Sequence, residues 1–352
     1  MSNFINNFFP IAANFIGSLF ASFLPAWIAQ IIQIVVSITV FILFGTIVVM
    51  SLVYLERRVI AFMQDRIGPN RVGPEGLLQP VADVLKLFSK EDIVPTNADP
   101  IVFKLSTILM VIASLLIYAV IPFGKGMIIS DLNIGIIYFV AISSLTAVGM
   151  LMAGWGSNNK YALLGAMRAA AQVVSYEIPL VFSIIGVAMI TGSLSTVSIV
   201  NAQAAWAGWR WNIFLQPIGF LVYFISATAE LNRTPFDLME AESELVAGYH
   251  TEYSGVRFAL FFLAEYLNAF AVAALGVTLF FGGWLGPILP PYVWFLLKTY
   301  LLFFVFYWMR GTLPRVRIDQ LMNLAWKYLL PAALVNMVIT GVGIWVYQAL
   351  IA

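Results

Sequence analysis

Eight stretches of this chain are apolar over at least the width of a membrane, near residues 30–55, 103–122, 135–154, 162–191, 214–231, 258–282, 292–310 and 327–351. A helix rising 1.5 Å per residue needs about 20 such residues to cross a hydrocarbon core of roughly 30 Å. With 62% hydrophobic residues, 10% charged and a mean hydropathy of +0.94, the expected fold is all-α. It is a polytopic membrane protein with about eight transmembrane helices and amphipathic helices in large cytoplasmic loops. A single membrane domain covers 1–352, with a first cytoplasmic loop at 56–102 and an acidic cytoplasmic loop at 228–257. The first 29 residues hold no Lys or Arg, so the basic region of a cleaved signal peptide is missing. Apolar residues around Pro10 and Pro25 suggest a short segment that dips into the membrane before the first span.

Fifteen of the 18 basic residues fall in one set of connections: Arg57, Arg58, Arg66, Arg71, Lys86, Lys90, Lys104, Lys160, Arg168, Arg233, Arg257, Arg310, Arg315, Arg317 and Lys327. Lys125, Arg210 and Lys298 lie on or toward the other side, and Lys298 is close enough to its helix end to snorkel outward. The positive-inside rule then puts the long polar loops in the cytoplasm and both termini outside it. A net charge of +1 leaves no basic patch for nucleic acid. No cysteine and a single histidine, His250, remove the usual ligands for iron–sulfur clusters, haem and zinc. Any electrons must come from a partner.

Against this apolar background one stretch stands out, Thr228 to Gly255, TAELNRTPFDLMEAESELVAGYHTEYSG. It carries six of the 17 acidic residues, three of them glutamates within five positions. Carboxylates this close raise one another's pKa, which favours retained protons and makes proton handling the hypothesis to test; a solvated acidic helix is the competing reading. Pro235 is expected at a first helical position with Asp237 near the positive end of the dipole. Two more carboxylates sit inside spans. Glu177 lies mid-helix beside Pro179, with Gln172 and Tyr176 as nearby donors, and Glu265 lies about two turns into the sixth span. In the first loop Leu77, Val81, Val84, Leu85 and Phe88 recur at helical spacing opposite Gln79, Asp83, Lys86 and Lys90. That pattern predicts an amphipathic helix on the membrane or under a partner.

Four segments, ERRVIAFMQDRIGPNRVGPEGLLQPVADVLKLFSKE, SNNKYALLGAMRAAAQVVSYEIPL, ELNRTPFDLMEAESELVAGYHTEYSG and MRGTLPRVRIDQLMNLAWK, resemble the signatures of the H-subunit family of respiratory complex I. The bacterial members correspond to mitochondrial NADH dehydrogenase subunit one. The long N-terminus and Ile318, where the family pattern has an aromatic residue, are departures. The resemblance implies a membrane-arm subunit of a proton-pumping NADH:quinone oxidoreductase in an energy-transducing inner membrane. This chain would bind no cofactor alone, quinone would be the substrate, and iron–sulfur clusters would lie in partner subunits. Partners would be peripheral-arm iron–sulfur and quinone-site subunits, antiporter-like and small membrane-arm subunits, and lipid.

Carried over by motif, Arg57, Arg58, Asp65 and Arg66 would line the quinone chamber, with Asp83, Lys86 and Glu91 on the following helix. Glu177, Glu230, Glu240, Glu242, Glu244, Glu252 and Glu265 would form an acidic path toward the antiporter-like subunits. The equivalent component of an energy-converting hydrogenase or related dehydrogenase is the alternative. A secondary cation or proton transporter is the other, though no repeat joins the two halves. Because the chain has no cysteine of its own, orientation has a direct check. Single cysteines introduced at Lys160 and Lys125 are expected to react with an impermeant maleimide from the cytoplasmic and the opposite face, respectively; labelling of both from one face would refute the assigned topology.

Overall fold

The computed structural model describes residues 26–204, 210–239 and 245–351. The expected N-terminal dipping segment therefore lies outside the described residues, apart from the start of the first helix. All regular elements among the described residues are helical, and one isolated bridge pairs Gly124 with Met127.

Among the described residues, seven helical stretches are long and apolar enough to cross a membrane: Gln30–Met63, Pro100–Val120, Gly135–Gly156, Lys160–Thr191, Gly255–Phe280, Pro291–Thr312 and Ile318–Leu350. They are built from α1 (Ala26–Met63), α3 (Pro100–Leu116), α4 (Gly135–Ser143), α5 (Leu145–Gly156), α6 (Lys160–Thr191), α10 (Gly255–Phe280), α11 (Pro291–Thr312), α12 (Ile318–Asn323) and α13 (Leu330–Ile351). Between them lie α2 (Gln79–Ser89), α7 (Thr196–Ala202), α8 (Asn212–Leu215) and α9 (Pro217–Glu230). A wide turn, Leu324–Leu329, joins α12 to α13.

The span expected at 214–231 is the short helix α9, which starts only at Pro217. Proline disfavours the helical conformation in the residue before it, and Gln216 sits at φ −134°, ψ 57°. At about 1.5 Å per residue α9 is roughly 21 Å long. The side-chain amide of Gln216 ties three helices together, donating to Thr340 Oγ1 at 2.6 Å and the Gly186 carbonyl at 3.3 Å while accepting from Asn336 Nδ2 at 2.7 Å. In hydrocarbon such a break is tolerated only where the protein itself supplies polar partners.

Helix α10 is the centre of the bundle. Every residue from Tyr266 to Phe280 is buried, and α1, α2, α3, α6, α7, α9 and α11 all pack on it. The rim helices are turned inside out relative to a soluble protein: Ile31, Ile34 and Ile38 on α1 and Val338, Val342 and Trp345 on α13 are exposed. An apolar surface of this kind suits a lipid solvent, where burial of hydrocarbon brings no gain.

The acidic stretch does not open as a helix at Pro235. Residues 231–239 form turns, because their backbone is held by other elements. Gln172 Nε2 reaches the carbonyls of Ala229 and Phe236, both at 2.7 Å, and Val316 N donates to the Pro235 carbonyl at 3.0 Å. Asp237 faces Arg315 at 3.5 Å instead of a helix terminus. Farther on, Gly248 lies against α6 so closely that a Cβ on Gly165 would come within 2.8 Å of it. Tyr253 stacks on Phe103 with ring centroids 4.0 Å apart. Both flanks of residues 240–244 are thus fixed to the bundle. Glu240, Glu242 and Glu244 themselves lie outside the described residues.

Lys298 does not snorkel. It is buried, 7% exposed, because its ammonium turns inward to the backbone carbonyls that follow α10.

Candidate functional site

The N-terminal half of α10 carries Glu265 and Tyr266, and around them the bundle gathers charges from three other parts of the chain. Arg310, in the last turn of α11, pairs with Glu56 near the end of α1. Tyr266 donates its hydroxyl to the other Glu56 oxygen at 2.5 Å. Arg233, three residues beyond α9, lies 2.9 Å from Glu265 and 3.8 Å from Glu56. Its guanidinium also sits 4.4 Å from the centre of the Tyr266 ring. Burial opposes the Arg233 charge, yet Glu265, Tyr266 and Glu56 together hold its pKa well above the ordinary value. Two carboxylates and two guanidiniums thus neutralise one another, which is the condition on which buried charge is tolerated.

These groups line a cavity of about 180 Å³ with Val53, Arg57 and Phe262. Arg57 points from its rim to Asp83 of α2 at 2.6 Å. Gln79 and Lys86 approach the same carboxylate at 3.3 and 3.8 Å. Arg58 pairs with Glu75, whose carbonyl accepts from the Tyr54 hydroxyl at 3.0 Å. The basic end of α1 is therefore stitched to the first loop, and the loop helix α2 leaves Val81, Leu85 and Phe88 exposed as an apolar face.

Of the residues expected at a chamber, Arg57, Asp83 and Lys86 come together here, while Arg58 turns to Glu75. Asp65 and Arg66 do not: both are exposed, and Arg66 bonds Gln64 at 2.8 Å. Glu91 is not on the following helix, since α2 ends at Ser89 where the chain extends. Its carbonyl accepts from Ser254 at 3.1 Å, and next to it Asp92 pairs with Arg257 at 2.9 Å.

The expected acidic path divides. Glu265 belongs to the charge cluster just described. Glu230, buried at the end of α9, lies within electrostatic range of Glu177 on α6 and beside the Ser143 hydroxyl. Gln172 and Tyr176 do not serve Glu177; they bind carbonyls of Ala229, Phe236 and Leu321. Glu252 stands apart, accepting from Asn159 Nδ2 at 2.5 Å in a surface groove with Asn97, Asn158 and Lys160.

Glu56, Arg310 and Tyr266 are site residues that the sequence alone does not single out. A signal exists for the first: Glu56 is the one acid in the apolar run that ends at Arg57 and Arg58. Arg310 reads only as a topogenic charge, and nothing local marks Tyr266.

The similarity to known proteins takes in every element that contributes to this cluster. Residues 36–341 match the family model described as NADH dehydrogenase. The chain belongs to the NADH dehydrogenase family. It is 54% identical over 317 residues to the NADH-quinone oxidoreductase H subunit of Dehalococcoides mccartyi, covering 90% of this chain and 87% of that one. A protein of the same name from Geobacillus kaustophilus is 56% identical over 293 residues, covering 82% and 86%. The one from Brevibacillus brevis is 54% identical over 296 residues, covering 82% and 87%.

His250 borders the site from the acidic stretch, its ring edge-on to Tyr249 and Phe258 at 5.0 and 5.5 Å. Burial lowers its pKa below the ordinary 6.5, against the pull of Glu265 and Asp237. The unfolded chain therefore binds a proton at His250 more readily than the folded one. That contribution to stability is complete above the ordinary value and is lost as pH falls toward the depressed one. In thermal melts of the assembled protein, His250→Asn is expected to flatten the loss of stability on acidification below about pH 6.5; an unchanged acid slope would contradict the assignment.

Proposed function

We propose that this chain is the membrane subunit of an NADH:quinone oxidoreductase that forms part of the quinone chamber and couples quinone reduction to proton movement. The observation that carries the reading is the net-neutral cluster of Glu56, Arg310, Arg233 and Glu265 around a cavity whose rim, Arg57, reaches the exposed apolar helix of the first loop. That arrangement suits a polar head group on an apolar tail. The helix α2 offers hydrocarbon contact, and the arginines offer donors to carbonyl oxygens.

Reduction of a quinone to a quinol takes up two electrons and two protons. The electrons come from a partner, since this chain has no thiol and only one imidazole. Transient negative charge near Arg57 and Arg233 would compete with Asp83 for the first cation and with Glu56 and Glu265 for the second. At a separation of a few ångströms in a medium of intermediate dielectric the competition is worth several kcal/mol. A carboxylate that loses its cation gains proton affinity. Protonation of Glu265 or Glu56 would then change the field felt by Glu230 and Glu177 and so their proton affinity, with Glu240, Glu242 and Glu244 lying between Glu230 and Glu265 in sequence. The peripheral subunits, antiporter-like partners and inner-membrane location implied by the family resemblance belong to this same reading.

Two sets of variants test it. In the reconstituted complex, Glu177→Gln and Glu230→Gln are expected to lower the protons moved per NADH oxidised. NADH oxidation by a soluble acceptor that bypasses quinone should be unchanged. Arg57→Met, which removes the tie to Asp83, is expected to raise the quinone KM about tenfold, equivalent to ~1.4 kcal/mol. Wild-type pumping stoichiometry in both glutamine variants would refute the path, and an unaltered quinone KM in Arg57→Met would refute the chamber.

A further inference from the structure

The far end of α10 poses a problem that its buried neighbours solve. A helix leaves its last carbonyls without intrahelical donors, and here that end lies inside protein, with Phe280 fully buried. Val277 is closed by the backbone N–H groups of Phe281 and Gly283, both at 3.0 Å. Gln203 donates to the Thr278 carbonyl at 3.0 Å and Asn212 to the Leu279 carbonyl at 2.8 Å. Beyond them Lys298 spends all three of its N–H groups on the carbonyls of Phe281, Gly283 and Leu285, at 2.7, 3.1 and 2.7 Å. The rings of Trp211 and Trp294 flank the ammonium at 5.1 and 5.7 Å.

Three convergent carbonyls, two aromatic faces and the negative end of a helix dipole make a site that attracts cations. No carboxylate lies within ion-pair distance of Lys298 among the described residues. The lysine's own charge is therefore what fills that site. We propose that Lys298 is a tethered cation plug: it occupies the cation-attracting end of α10 and so keeps protons and hydrated cations from entering the polar interior from the face opposite Glu265. Gln203 and Asn212 cap the neighbouring carbonyls with neutral amides, and an amide could cap two of these three, so a lysine adds a third N–H and a charge. A fixed positive charge at a constriction is a general means of excluding protons and cations.

The plug rests on this chain's sitting in a proton-holding membrane but not on the acidic path. It is tested without turnover, so that failure of one reading leaves the other standing. The assembled complex is placed in proteoliposomes, a potassium diffusion potential is imposed with valinomycin in the absence of NADH, and proton entry is followed with a trapped pH dye. Lys298→Gln retains two N–H donors without the charge, Lys298→Met removes both, and Lys298→Arg keeps the charge. Glutamine and methionine variants are expected to leak protons roughly tenfold faster than the parent, the order produced by removing a unit charge about 10 Å away at intermediate dielectric. Lys298→Arg is expected to stay tight. A Lys298→Gln complex as tight as the parent would overturn the proposal, leaving hydrogen bonding as the lysine's role. Failure of both uncharged variants to assemble would also overturn it, in favour of a folding role.

Discussion

Arg233 lies between two carboxylates from different helices, and the end of the bundle that carries them depends on that placement. A guanidinium 8% exposed is tolerated only if it is paired. Glu265 on α10 and Glu56 on α1 pair it, and Arg310 from α11 balances the second carboxylate. Removing one member of such a set strands a buried charge and costs about 3–5 kcal/mol, whereas removing a matched pair costs far less. The cluster therefore fixes the relative positions of α1, α10, α11 and the turn after α9 more strictly than apolar packing in a lipid solvent would. It also leaves charges whose partners can be exchanged when another charge arrives.

The two ends of α10 meet the same constraint in different ways. Near Glu265 ions neutralise ions around a cavity, and proton affinities there depend on who is paired with whom. At Phe280 neutral amides and one lysine close the orphan carbonyls, and the groups that do so include no carboxylate. Buried polarity is thus labile at one end and fixed at the other. Elsewhere in the bundle the Gln216 amide cluster binds α6, α9 and α13 without charge.

Much of the fold is readable from the sequence because hydrocarbon allows few solutions. Seven of the expected spans coincide with long helical stretches, five of them to within three residues at both ends, while the first runs eight residues past its expected end and the last begins nine residues early; the first loop's period places α2 correctly. The fifth span reads too long because hydropathy does not register what Pro217 does to Gln216. The turns at 231–239 read as a helix entrance, since Pro235 and Asp237 carry a local cap signal that Gln172 and Val316 override from elsewhere in the chain. Lys298 is misplaced for a similar reason: its distance from a helix end allows snorkelling, and only tertiary structure shows carbonyls turned toward it. At the site, the resemblance supplies Arg57 and Asp83, and Glu265 stands out as a carboxylate within a span, but Glu56 meets Tyr266 and Arg310 across 210 and 254 positions. No local pattern encodes a contact of that kind.

The proposed quinone chamber needs charges that are neutral as a set and separable as individuals, so the ionic coupling itself is the quantity to measure. A double-mutant cycle on Glu56 and Arg310, read from thermal unfolding of the assembled complex, does this directly. Arg310→Met alone is expected to destabilise by about 3–5 kcal/mol, and Glu56→Gln added to it is expected to restore much of that loss. Strictly additive effects of the two substitutions would show that the charges do not depend on each other, and would contradict the account.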